Sequence, residues 1–401
     1  MKQVYLIGTG TDGLGSLTAD AGQAIRSAAL LIGAKRMLEP YENAGKSLFY
    51  AYQAKQIAEA LHNSQAESAA VLFSGDCSFF SGARNLLPMI DDMKVTVFPG
   101  ISSMSAFCAK CGISYEDMRF LSLHGTGSNI AIHAKINRYC FFLLGGKTDA
   151  AQVCQRLCDY DLAGIQVHIG MNLGYENESI LHGKASDFTA LPAETLSVMI
   201  TDHPAYLRYI PSAVPDTAFL RGQVPMTKAE VRCNAVSALR IAHDAVCWDI
   251  GCGTGSITVE TAFRCPDGQV YAFDQKQDAI LLTEQNAHNF SCDNITAVNG
   301  ICPDILHDYP APDAVFIGGS GGRLSEIMDE IAHKNPKARI ALTAVSLETV
   351  AQAMDAFSVY SDDFDVCQIA VTRTKKIGTH TMFDAQNPVF LISGGFKCSG
   401  S

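Results

Sequence analysis

The sequence predicts an α/β protein of two successive doubly wound units, on three observations. Short apolar runs ending in glycine or polar residues alternate with segments of helical period along nearly the whole chain, as in a largely parallel sheet covered by helices. The alternation breaks once, over 203 to 225 (HPAYLRYIPSAVPDTAFLRGQVP), where Pro204, Pro211, Pro215 and Pro225 interrupt any helical period. It then restarts and continues to the end. The 401 residues suffice for two or three domains.

In the first unit, strands are expected at VYLIG (4–8), ALLIGA (29–34), AAVLFSG (69–75), KVTVFPG (94–100), YCFFLLGG (139–146), IQVHIGMN (165–172) and LSVMITDH (196–203). Between them, LTADAGQAIRSA, AKQIAEALHNS and FFSGARNLLPMI read as helices. The proline-rich stretch reads as a linker, which gives domains at 1–202 and 222–401 joined by 203–221. In the second unit TKAEVRCNAVSALRIAH is a predicted helix, VCWDIG a strand, SITVETAFR a helix and QVYAFD a strand. DAVFIGG, ARIALTAV, DVCQIAVT and NPVFLISGG continue the strands, and LSEIMDEIAHK and LETVAQAMDAF the helices.

Composition narrows the function. A net charge of -11, from 30 Lys and Arg against 41 Asp and Glu, argues against a nucleic-acid partner, whose affinity depends on neutralising phosphates. No apolar run reaches the roughly 18 residues of a membrane span, and MKQVYLIGTG lacks the features of a signal peptide. A cytoplasmic protein without a membrane partner is the expectation. The 14 cysteines are scattered. Cys108 and Cys111 form a lone CxxC without a second pair or a zinc-spaced His pair, so they read as buried thiols of a helix, and no metal site is expected.

The chemistry concentrates in the turns. Gly251, Gly253 and Gly255 form a GxGxG where a strand hands over to a helix, with Asp249 before it and Asp274 ending the next strand. Such glycines admit a ligand close to the backbone, and an acidic strand end suits ribose hydroxyls. An acidic residue ahead of the loop favours a ligand with a cationic amino acid tail, which describes S-adenosylmethionine. A tight packing turn is the bland alternative.

PMTKAEVR, WDIGCGTGS, AVNGICPD and FIGGSGGR, in that order, resemble the precorrin methyltransferases that methylate carbon 15 and decarboxylate the ring C acetate. By that resemblance Thr227, Gly251, Cys252, Gly253, Thr254, Gly255, Asp274 and Cys302 stand at positions contacting S-adenosylmethionine, although Cys302 replaces the family's usual alanine. VYLIGTGTDGLGSLT, LFSGDCSFFSGA and VFPGISSMSAF resemble the three loops of the tetrapyrrole methylase family, in its carbon 5 branch. That likeness implies a domain of two α/β subdomains followed by a Rossmann-like methyltransferase domain, as in the fused decarboxylating precorrin-6Y methyltransferases. It further implies one S-adenosylmethionine per domain, a corrinoid macrocycle as substrate, and a homo-oligomer.

In the first domain Gly8, Gly10 and Gly13 permit a tight turn, with Asp12 and Gly13 standing where most of that family has Gly-Asp. Gly75, Asp76 and Gly100 lie at the C-terminal ends of later strands, where an open parallel sheet has its ligand crevice; Pro99 and Gly100, followed by Ser102 and Ser103, are candidates for the same crevice or only a turn and helix cap. Asp76 is a candidate catalytic group or a cap of the helix near Ser78. His124, in SLHGTG, is a candidate base or a loop histidine.

A substrate bearing many carboxylates needs local positive charge. Gly319, Ser320 and Gly321, with Arg323 after them at a predicted helix N-terminus, and the loop containing Arg373, Lys375, Lys376 and His380 are the candidates; a solvated basic loop is the alternative. Arg119 and Arg138 are weaker ones in the first domain. The competing functions are an RNA methyltransferase, or a first half that binds the corrinoid without catalysis.

Overall fold

A computed structural model describes residues 2–124, 129–146, 148–193, 196–210, 212–361 and 363–395. The chain divides into two compact units. The first comprises 1–127, 138–155 and 165–203; the second takes 128–137, 156–164 and 204–401.

The first unit opens with β1 (Gln3–Gly8), β2 (Leu30–Gly33), β3 (Ser47–Tyr50), β4 (Ser68–Phe73) and β5 (Lys94–Phe98), a sheet of order β3-β2-β4-β1-β5. All its pairings are parallel. Both faces are covered, which is why β1 and β4 read as unbroken apolar runs. Val4 and Leu6 pack with Ile57 and Leu61 of the helix Ala54–Asn63. Ile7 packs on the other face with Ala21 and Ile25 of the helix Ala19–Ser27.

A second sheet follows, made of β6 (Met118–Ser122), β7 (Tyr139–Leu143), β8 (Gln166–Met171), β9 (Ser179–Lys184) and β10 (Ser197–Asp202), in the order β6-β7-β10-β8-β9. Here only β6 and β7 pair in parallel; β10 runs antiparallel to β7 and β8, and β8 to β9. The expectation of a largely parallel sheet holds for the first layer and fails for this one, because returning strands join β8, β9 and β10. The stretch FFSGARNLLPMI, read as one helix, is a short helix Ala83–Leu86 and a single 3-10 turn at Leu87–Met89 that takes in Pro88.

The second unit is a sheet of β11 (Val246–Ile250), β12 (Gln269–Asp274), β13 (Ile295–Asn299), β14 (Ala314–Ile317), β15 (Arg339–Ala344), β16 (Phe364–Ile369) and β19 (Val389–Gly395). Its order is β13-β12-β11-β14-β15-β19-β16, parallel through β15, with β19 antiparallel to β15 and β16. Strand order reverses between β11 and β14, and an open α/β sheet binds ligands at that switch point. Between β16 and β19, β17 (Thr372–Ile377) and β18 (His380–Ala385) form a separate hairpin. The sequence reading had a loop there. Gly378, at φ +60, begins the two-residue turn, the position that a type II′ hairpin gives to glycine.

The segment read as a linker is partly core. Val214 and Phe219 are buried in the second unit, and the fully buried Arg232 anchors them there. Its guanidinium bonds Glu260 at 2.6 Å and Asp216 at 3.3 Å, donates to the Val214 carbonyl, and lies 4.8 Å from the Phe219 ring centroid. A buried arginine is tolerable only with its charge and donors matched in this way. Among the described residues no helix is long and apolar enough to cross a membrane.

Candidate functional sites

Each unit presents a cavity at the C-terminal ends of its parallel strands. In the second unit it measures about 580 Å³, within the range of small-molecule pockets. Gly251, Gly253 and Gly255 all have positive φ, at 76°, 58° and 72°. A Cβ at Gly251 would lie 2.7 Å from the Gly319 nitrogen, and one at Gly255 would lie 2.8 Å from Thr283. The glycine spacing is thus required by the backbone itself, and it keeps the loop low enough for Gly251, Cys252, Gly253 and Thr254 to line the cavity.

Two carboxylates stand at adjacent strand ends. Asp274 accepts hydrogen bonds from the Gly253 N–H at 3.1 Å and the Lys276 N–H at 2.9 Å, so it shapes the loop while lining the cavity. Asp249 is 1% exposed. One of its oxygens accepts from the Thr258 hydroxyl; the other is buried without a hydrogen-bond partner. Burial pushes its carboxyl up to about 7, with the charge of Asp274 adding to the effect and the Thr258 bond opposing it. Thr227 lines the cavity, as does Cys302, whose thiol burial and then Asp274 and Asp304 push up to about 12. The thiol is therefore neutral lining near pH 7 rather than a nucleophile.

The candidate cations are less available than their sequence suggests. Arg323 reaches the cavity beside Gly319, Ser320 and Gly321, but it is held by Glu326 at 2.6 Å and Asp304 at 2.8 Å. Arg373 is paired with Glu230 at 2.6 Å and Asp216 at 3.3 Å, and Lys375 with Asp384 at 2.7 Å. With Lys376 and His380 they belong to the β17–β18 hairpin, outside the cavity lining. Met226, Gln275 and Asn387 line the cavity and were not singled out from the sequence. Met226 lies in the quoted PMTKAEVR; the other two carry no spacing signal.

In the first unit the three loops lock together through backbone. Gly10 and Gly75 exchange N–H···O bonds of 3.0 Å in both directions. A Cβ at Gly100 would stand 2.2 Å from the Gly75 carbonyl oxygen, and one at Gly8 would stand 2.7 Å from the Gly100 nitrogen. Gly8 and Gly100 therefore serve close packing between loops. Asp76 accepts from Gly100 N–H at 2.9 Å and from Ser78 N–H at 2.7 Å; the helix expected near Ser78 is not there, the next one starting at Ala83, so Asp76 closes a turn and ties two loops together rather than capping a helix. Ser102 caps the helix Ser103–Cys111 by accepting from the Ser105 N–H.

Gly10, Gly75, Asp76, Ser102, Ser103 and His124 line a cavity of about 240 Å³. Gly8, Pro99 and Gly100 do not; Gly13 begins the 3-10 turn Gly13–Ser16. The His124 ring sits over Gly145, where a Cβ would be 1.8 Å from it; the following residues 125–128 lie outside the described ones. Arg119, on β6, and Arg138, which pairs with Asp202 at 3.5 Å, are away from this cavity. Arg36 and Tyr175, bonded to each other at 3.0 Å, line it and were missed.

Comparison with known proteins also finds two parts, although the first match runs through 128–137 and 156–164, which pack with the second unit. Residues 3–189 match the family model of tetrapyrrole (corrin/porphyrin) methylases, and 216–394 that of the precorrin methyltransferase domain. A probable cobalt-precorrin-6B C(15)-methyltransferase (decarboxylating) of Pyrobaculum calidifontis is 39% identical over 188 residues, 46% of this chain and 96% of the relative. The cobalt-precorrin-6B C(15)-methyltransferase (decarboxylating) of Salmonella typhimurium is 34% identical over 181 residues, 44% of this chain and 93% of its own. Among solved structures, a precorrin-6Y C5,15-methyltransferase of Geobacter metallireducens aligns with TM-score 0.44 and 34% identity, covering 48% of this chain and 100% of that one. The chain thus belongs to the decarboxylating precorrin methyltransferases, and carries a tetrapyrrole methylase domain in the same polypeptide.

Proposed function

We propose that the chain is a bifunctional S-adenosylmethionine-dependent enzyme of corrin biosynthesis. It methylates carbons 5 and 15 of precorrin-6B or its cobalt form and removes the ring C acetate carboxyl as carbon dioxide. The observation that carries this reading is the 580 Å³ cavity with its buried, half-bonded Asp249 beside Asp274. A carboxylate oxygen buried without a donor is costly, and a cationic ligand relieves that cost.

S-adenosylmethionine, when bound, supplies the methyl group as a sulfonium electrophile. Asp249 and Asp274 give its positive charge a complementary environment, Asp274 is placed for ribose hydroxyls, and the glycine loop leaves room for close backbone approach. Holding an electron-rich carbon of the macrocycle in line contributes on the order of 7–11 kcal/mol of rate enhancement by positioning alone. Decarboxylation leaves an electron pair that the conjugated, protonatable macrocycle accepts, so the chain's task there is to bind and orient. Arg323, with Lys228 and Lys276 in the same lining, is a cation at hand for a substrate carboxylate, exchanging Glu326 or Asp304 for it. In the first unit, Gly10, Gly75, Ser102 and Ser103 line a second S-adenosylmethionine site, with His124 and Arg36 at the cavity. A homo-oligomer working in the cytoplasm belongs to the same proposal.

A second reading has the first unit bind the macrocycle without methylating it. Mass spectrometry of precorrin-6B incubated with the chain and S-adenosylmethionine separates the two. Two methyls gained and one carbon dioxide lost support bifunctionality. One methyl with carbon dioxide lost supports the second reading, and no mass change with either the metal-free or the cobalt substrate overturns both.

A further inference from the structure

Cys111, His168 and His182 come together although the sequence separates them widely. His168 of β8 and His182 of β9 are directly opposed in the antiparallel register, so their side chains share one face of the sheet. Their Nδ1 atoms stand 2.6 Å apart, with the rings edge to face. Cys111 is the last residue of the helix Ser103–Cys111, closed by Gly112 at φ +67.

The reason it reaches the histidines lies in the packing. A Cβ at Gly170 would be 2.7 Å from the Phe107 ring, so the missing side chain at Gly170 lets the helix sit close to the sheet. One turn onward along the helix is Cys111 and two residues back along the strand is His168. One ligand atom from each of Cys111, His168 and His182 lies within 4.8 Å of the others. Cys108, the other half of the CxxC, points into the core at 1% exposure and takes no part.

The donor set is one thiolate and two imidazoles, with Cys111 and His168 half-buried and His182 exposed. Zinc favours such borderline-soft nitrogen and sulfur ligands in tetrahedral geometry. Bonds of about 2.0–2.1 Å to nitrogen and about 2.3 Å to sulfur put tetrahedral donors roughly 3.3–3.6 Å apart. Small side-chain rotations bring the three atoms to that spacing, opening the His pair and drawing the sulfur in. We propose that Cys111, His168 and His182 form a zinc-binding site with a fourth position left to water. The ion ties edge strand β9 to the helix that begins at the Ser102 cap. This replaces the sequence expectation of an inert CxxC without metal, and it is independent of the methyl-transfer proposal.

The test uses the full chain, stripped with a chelator, re-exposed to Zn²⁺ and dialysed. The expected result is one zinc per chain by elemental analysis and a zinc-dependent rise in thermal midpoint. His182→Ala is the principal variant, because the residue is exposed on an edge strand and circular dichroism can verify the fold. Its zinc affinity should fall by more than the about 10- to 100-fold typical of losing even an outer-shell partner. Co²⁺ in place of Zn²⁺ should give tetrahedral d–d bands with a thiolate charge-transfer band. That charge-transfer band should be absent in Cys111→Ser and kept in Cys367→Ser, which removes an exposed thiol elsewhere. Failure of the wild type to hold zinc, equal binding by wild type and His182→Ala, or loss of the thiolate band in Cys367→Ser but not Cys111→Ser would each overturn the proposal.

Discussion

The two glycine-rich sites use the same residue for different ends. In the first unit Gly8, Gly75 and Gly100 bring three loops into backbone contact, and two of these glycines lie outside the cavity lining. In the second, two of the three positive-φ glycines of one strand–turn–helix, Gly251 and Gly253, line the cavity themselves, flanked by Asp249 and Asp274, while Gly255 packs against Thr283. The first site is specified by how loops pack on each other, the second by one turn and two carboxylates. Glycine alone therefore does not mark a ligand contact, and close packing does not exclude one: Gly251 lines the cavity although a Cβ there would stand 2.7 Å from the Gly319 nitrogen.

The sharpest way to break this contrast is Gly100→Ala. With backbone oxygen 2.2 Å from the new Cβ, the loops must separate, and the first unit should lose more than about 3 kcal/mol of stability. Ligand binding in the second unit should persist, which calorimetry with S-adenosylhomocysteine would check.

Next comes Asp249→Asn. The folded carboxyl has its pKa raised from 3.8 to about 7 by burial, so between those values the folded state holds a proton that the unfolded state does not. Stability of the wild type should then fall as pH rises from 4 to 7 and level off above 7. The asparagine variant should lack that slope; the difference has an upper bound of about 4 kcal/mol. Urea titrations at pH 4.5 and 8 measure it, and parallel pH profiles would contradict the assignment.

A smaller effect is expected for Asp274→Ala. Losing one charged partner should weaken S-adenosylhomocysteine binding in the second unit by about 1.5–3 kcal/mol, leaving the first unit's binding intact. Smallest of all, Lys375→Ala removes an exposed pair with Asp384 and should change stability by less than about 1 kcal/mol.

How much of this could be read in advance follows the same division. The strand, glycine turn and acidic strand end of the second site lie in one continuous stretch, so Asp249 through Gly255 and Asp274 were legible. Strands buried on both faces, such as β1, β4 and β11, declare themselves as apolar runs. β9 (SILHGK) and the β17–β18 hairpin did not, because an edge strand or an exposed ribbon buries no continuous face. Prolines announced the irregular path of 203–225, but the burial of Val214 and Phe219 depends on Arg232, which no local pattern connects to them. Cross-strand register is equally invisible, so His168 and His182 gave no hint of meeting Cys111. The pairing of Arg323 and Arg373 with carboxylates likewise emerges only from the fold.

The measurement bearing most directly on the central claim is the number of S-adenosylhomocysteine molecules bound per chain, by equilibrium dialysis, in the wild type and in Gly253→Arg. Two per chain, falling to one in the variant with the first unit still folded, is the predicted result. One per chain in the wild type, falling to none in the variant, would contradict the account and leave the first unit without a methyl donor of its own.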